Sequence, residues 1–168
     1  GVAHGDGDFG PNFDHMALVV TLDERWLVDV GFGDSFRLPL RLDERGEQSD
    51  GWRTFRVTAH GDDRVLERME PDGTWMAQYR FTAQSRTFDE YVPMCTYHQT
   101  SPDSHFTSRR IASLATPAGR ITLSDSRLIE TTGIDAKAER ELVNDDEIVG
   151  VLRDVFGIER GTPTWAYS

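Results

Sequence analysis

A mixed α+β fold is what this sequence predicts, rich in antiparallel strands up to about residue 84 and α/β from residue 85 onward. Three observations lead there. Short runs of Val, Leu, Phe and Trp separated by Gly/Asp turn signals fill the first half. Thr87 followed by Glu90 forms a capping-box pattern. "NDDEIVGVLRDVFG" (144–157) has the cap, apolar spacing and terminal glycine of an amphipathic helix.

Residues 1–12 are Gly/Asp-rich without periodicity and read as a loop. "FDHMALVV" (13–20) and "RWLVDVG" (25–31), separated by "TLDE", read as the buried strands of an antiparallel hairpin. "WRTFRVTA" (52–59), "RVLERME" (64–70) and "TWMAQYRF" (74–81) follow, with "HGDD" and "PDG" as turns, giving a meander. "TFDEYVPMCTYHQ" (87–99) spaces Phe88, Tyr91, Met94 and Cys95 as a short helix does. "TSRRIASLA", the turn "TPAG" and "RITLSDSRL" supply a further hairpin and one more strand. In the final helix Asn144 is the cap, residues 148, 149, 151, 152, 155 and 156 form the apolar side, and Gly157 is the stop. The change of character near residues 82–87 marks the expected seam between domains of residues 1–84 and 85–168.

Charge narrows the partners. A net charge of −11 and a pI near 4.8 repel polyanions, so neither nucleic acid nor an anionic membrane is an expected partner. Arg109, Arg110, Arg120 and Arg127 form a modest basic cluster, read chiefly as solvated arginines on an acidic surface. One cysteine forms no internal disulfide, and a reducing, cytoplasmic setting is the simplest inference. No metal is expected: Cys95 and His98 lack a second ligand pair, and His4, Asp6 and Asp8 read as an acidic turn.

The first hairpin carries the chemistry. His15 and Asp29 sit in its two apolar runs, where an unpaired charge would be costly. A loop with an odd number of residues puts both on one face, within reach of each other; an even one puts them on opposite faces. Paired, the carboxylate would fix the imidazole tautomer and stabilise the imidazolium, leaving the second nitrogen for a third group. The plainer alternatives are a core histidine satisfied by Asp34 or a backbone carbonyl, or an Asp29 that only ends a strand. Gly31 and Gly33 around Phe32 are expected to allow a sharp turn that holds the phenyl ring out into a pocket.

"FDHMALVV", "WLVDVGFGDSFRLPL", "YHQTSPDSHF" and "GRITLSDSRL" together resemble the arylamine N-acetyltransferases, the bacterial ones especially, over about residues 9–158. The resemblance implies a cysteine-protease-like acyltransferase, here a β-barrel-like domain followed by a small α/β lid domain. It implies a Cys-His-Asp triad in which His15 and Asp29 are two members, with Phe32 and Phe106 lining the acceptor pocket. Acetyl-CoA would be the acyl donor and an arylamine or arylhydrazine the acceptor.

The third triad member is not found here. The family's nucleophile lies in a motif like R-G-G-x-C on a helical first domain, and no such motif precedes His15. Cys95 is expected to be a core thiol instead. This stretch is therefore expected to be part of a longer enzyme, inactive by itself for want of the helical domain. A macrolactam-forming amide synthase with the same triad, and a shortened non-catalytic binding domain, are the alternatives.

Overall fold

The computed structural model describes residues 1–4, 7–133 and 136–159. It divides into two compact units, Gly1–Ser104 and His105–Ser168. The expected seam at residue 84 is therefore not where contacts separate: the helical segment goes with the strands before it.

The first unit contains two open antiparallel sheets. One has the order β1(Leu18–Thr21), β2(Arg25–Val28), β3(Leu40–Arg41). The other runs β4(Gln48–Ser49), β5(Thr54–His60), β6(Asp63–Met69), β7(Trp75–Phe81). The fold class is mixed α+β as expected, but neither sheet closes on itself among the described residues. The two-residue strands β3 and β4 are too short to have left a periodic signal. The lead-in is not a simple loop either, because Val2 bridges Tyr79 and Ala3 bridges Phe9, laying residues 1–3 along β7.

Alternation builds the core of this unit. Phe55 and Val57 face inward from β5, and Leu66, opposite Val57, meets Tyr79 of β7. The register of β7 slips by one residue, Leu66 facing Tyr79 and Glu67 facing Ala77, so Gln78 is the extra residue of a bulge. The slip puts Ala77 on the outer face with Glu67, and Tyr79 on the core face with Leu66. Leu27, Phe36, Leu40 and Leu42 complete the cluster. Burying such side chains contributes roughly 1.5–3 kcal/mol each before entropy is subtracted.

All four residues of β1 are exposed, contrary to the expected buried strand. It is an edge strand, and its apolar side chains do not meet the cluster that Leu27 of β2 joins. Beyond β7, a 3₁₀ turn (Phe88–Tyr91) leads into α1 (Val92–Thr100). The capping box forms, with Thr87 N–H donating to Glu90 Oε2 at 2.8 Å.

The second unit is α2 (His105–Ser108), a four-stranded antiparallel meander and α3 (Asp145–Phe156). The meander comprises β8(Ile111–Thr116), β9(Gly119–Ser124), β10(Arg127–Thr132) and β11(Ala136–Glu141). Sequence reading missed β11, whose residues "AKAERE" are all exposed and carry no alternation. Leu123, Leu128 and Leu142 pack with Ile148 and Val151 of α3. Asn144 Oδ1 accepts the Glu147 N–H at 2.9 Å, and Gly157 closes the helix with φ 67°, both as expected. No described helix is long and apolar enough to cross a membrane.

Candidate active site

The first hairpin fixes the pair. Thr21 faces Arg25 and Leu18 faces Val28, so three residues form the loop, with Asp23 at its centre. Extending this register puts Ala17 across from Asp29, and His15 two residues away on the same face. His15 Nε2 and Asp29 Oδ2 are 2.7 Å apart, and the Asp29 side chain is wholly buried while His15 is 15% exposed. A carboxylate this deep needs partners. Its other oxygen, Oδ1, accepts the N–H groups of Gly31 and Phe32, both at 3.0 Å. Nε2 is thereby committed to the carboxylate, and Nδ1 is the nitrogen left for a third group.

Asp34 is not the partner of His15. Its carboxylate takes Arg53 at 3.1 Å and Arg68 at 3.3 Å. Buried Asp50 accepts the N–H groups of Arg37, Trp52 and Arg53 at 2.8–2.9 Å, tying the loop that follows Asp29 to the start of β5.

Gly31 and Gly33 do not play the expected part. Neither has a positive φ, and Phe32 does not project outward. Its ring is partly buried against the core, 5.1 Å from the imidazole and 5.2 Å from Tyr79. Tyr79, the third ring, lies 5.2 Å from His15. Its buried hydroxyl makes no hydrogen bond of ordinary geometry among the described residues. Burial, and after it the nearby Asp29 charge, push its ionisation far above the usual phenol range. Sequence reading missed Tyr79 because only the bulge turns it toward the pair.

Burial raises the Asp29 carboxyl, but the His15 hydrogen bond and charge, with the Gly31 and Phe32 N–H groups, outweigh it and hold the group below its ordinary value. The native state thus binds fewer protons here than the unfolded chain in acid. The stabilisation is present above the ordinary carboxylate value near 4 and is lost as pH falls toward the depressed native one. Urea unfolding of this unit between about pH 6 and about pH 3 should show a steep loss of stability that is shallower in Asp29→Asn. Identical slopes would mean the carboxylate is not specially held.

The remaining expected residues lie elsewhere. Phe106 belongs to the second unit, on α2, about half exposed, its ring 4.0 Å from His105. Cys95 is exposed rather than a core thiol, because α1 turns no buried residue toward a core; its Sγ accepts Gln99 Nε2 at 3.0 Å. Arg120 bonds Ser113 and Arg127 pairs with Glu139, while the Arg110 N–H meets Asp125. Among the described residues no group of three or more His, Cys, Asp or Glu could hold a metal; Asp6 lies outside them.

Comparison with known proteins bears on what such a pair serves. The family model described as N-acetyltransferase matches residues 2–163. The chain belongs to the arylamine N-acetyltransferase family. Arylamine N-acetyltransferase 1 of Homo sapiens is 32% identical over 168 aligned positions, covering 86% of this chain and 58% of the relative. The arylamine N-acetyltransferase of Salmonella typhimurium shares the fold with a TM-score of 0.84 at 22% identity, over 94% of this chain and 58% of its own. That of Mycobacterium marinum in complex with CoA superposes with a TM-score of 0.76 at 29% identity, over 86% of this chain and 54% of its own. The chain therefore spans little more than half the length of the relatives it matches.

Proposed function

We propose that this chain supplies two members of a Cys-His-Asp acyl-transfer triad, His15 and Asp29, to a longer arylamine N-acetyltransferase. The observation that carries the reading is the 2.7 Å contact between His15 Nε2 and the fully buried Asp29 carboxylate. A cysteine from a helical segment outside these residues would face Nδ1 of His15. The imidazole takes the thiol proton, and the thiolate attacks the carbonyl carbon of acetyl-CoA. The C–S bond to CoA breaks, and the proton passes from the imidazolium to the departing CoA sulfur. An arylamine or arylhydrazine nitrogen then attacks the thioester carbonyl carbon and gives its proton to the imidazole; the C–S bond to the cysteine breaks, the N-acetyl product leaves, and the imidazolium returns the proton to the cysteine sulfur. Such amines are neutral near pH 7, so orientation matters more than activation. Asp29 stays ionised throughout and stabilises the imidazolium.

Phe32, whose ring lies 5.1 Å from the imidazole, is read as an aromatic wall for the acceptor ring. The resemblance to a relative solved with CoA supports a CoA thioester as donor. Cys95 Sγ accepts from Gln99 rather than facing His15, and the nucleophile's role is assigned to another sulfur.

Incubation with isotopically labelled acetyl-CoA and an arylamine, followed by mass spectrometry of protein and product, tests this. The complete polypeptide containing this stretch should form an acetyl-cysteine outside residues 1–168 and release N-acetylarylamine. The 168-residue chain should do neither. Acetyl transfer through Cys95 would overturn the assignment; a complete protein that ignores acetyl-CoA but closes amides from another acyl donor would favour the amide synthase reading.

A further inference from the structure

Phe13, two residues before His15, adopts φ 68°, a left-handed conformation that a bulky side chain disfavours. The other non-glycine residue with positive φ among those described is Asp125, an aspartate in the β9–β10 turn, where such backbone is common. Phe13 also lies in a turn, but a phenylalanine ring, unlike a short aspartate, disfavours that conformation, so the surrounding structure must hold it there. The holding contacts are specific. The Phe13 ring meets Tyr91 edge-to-face, with centroids 5.1 Å apart at 81°, and the Arg86 guanidinium lies 5.7 Å over it. Arg86 is in turn paired with Glu90 at 3.2 Å, and Glu90 caps the Thr87 N–H. One residue further on, Asp14 Oδ2 accepts the Val2 N–H at 3.2 Å, and then comes His15.

We infer that Phe13 is a positioning residue: its ring, clasped by Tyr91 and Arg86, holds the left-handed turn that delivers His15 to Asp29. Arg86 and the helical segment that follows it, remote in sequence from His15, thus set the geometry of the pair. This inference rests on the His15–Asp29 reading above.

The test uses the 168-residue chain with ¹⁵N-labelled histidine, following the His15 Nε2–H resonance, its tautomer and its exchange with solvent. Tyr91→Ala, which leaves the strained backbone untouched, should accelerate Nε2–H exchange on the order of tenfold and admit the Nδ1–H tautomer, because the turn opens locally. Phe13→Ala should act likewise. Tyr91→Phe, which keeps the ring, should retain the wild-type signal, and Leu42→Ala, which loosens the core cluster without touching Phe13, Tyr91 or Arg86, should leave the tautomer unchanged. Wild-type exchange and tautomer in a folded Tyr91→Ala would overturn the clasp, as would an equal change in Leu42→Ala. Asp29→Asn separates the two readings. If it alters the His15 signal and Tyr91→Ala does not, the clasp fails and the pair stands; if it leaves the signal unaltered, the pair itself fails.

Discussion

Asp29→Asn is expected to lower acetyl transfer by the complete protein about 10³- to 10⁴-fold while leaving the fold intact. The reason lies in the two carboxylate oxygens. Oδ1 is bound by the Gly31 and Phe32 N–H groups, so the asparagine carbonyl oxygen must take that place. Its NH₂ then points at His15 Nε2, where Oδ2 stood 2.7 Å away. A donor facing Nε2 forces the neutral imidazole to carry its proton on Nδ1, the nitrogen that should accept from the thiol. The variant thus has the pair's shape and the wrong tautomer. Single-turnover acetylation measured beside circular dichroism checks this, and turnover within a few-fold of wild type would remove Asp29 from the mechanism.

Tyr79 should separate packing from chemistry. Its ring is almost wholly buried and touches His15, Phe32 and Phe81, so Tyr79→Ala should destabilise the first unit by about 3–5 kcal/mol and unseat the imidazole. Tyr79→Phe removes a buried hydroxyl that lies near the Asp29 carboxylate and makes no hydrogen bond of ordinary geometry among the described residues, so stability should stay within about 1 kcal/mol of wild type. Urea unfolding of both variants gives the comparison. A loss of about 2 kcal/mol or more in Tyr79→Phe would show that the hydroxyl is satisfied after all.

How much of this could be read from residues alone depended on whether the signal was local. The capped final helix and the β5–β7 meander are written in cap residues and alternation, and both formed as expected. The parity argument for the first hairpin left two outcomes open, and the three-residue loop selects the one that joins His15 to Asp29. Tyr79 was invisible because a bulge at Gln78 reverses which alternate residues face the core, and nothing in "TWMAQYRF" marks it. Apolar content also misled. β1 and α1 are rich in hydrophobic residues yet contain no buried one, so among the described residues their apolar side chains are not drawn into a core. The "GFG" stretch misled differently: glycine permits unusual backbone angles but does not require them, and Phe32 turned inward to the imidazole.

The most direct test of the central claim is the tautomer of His15 in the 168-residue chain, read from its ¹⁵N shifts at a pH where the ring is neutral. A proton held on Nε2 in wild type, moving to Nδ1 in Asp29→Asn, is the predicted result. An Nδ1–H tautomer in wild type, or one indifferent to the substitution, would contradict the pairing on which the proposed function rests.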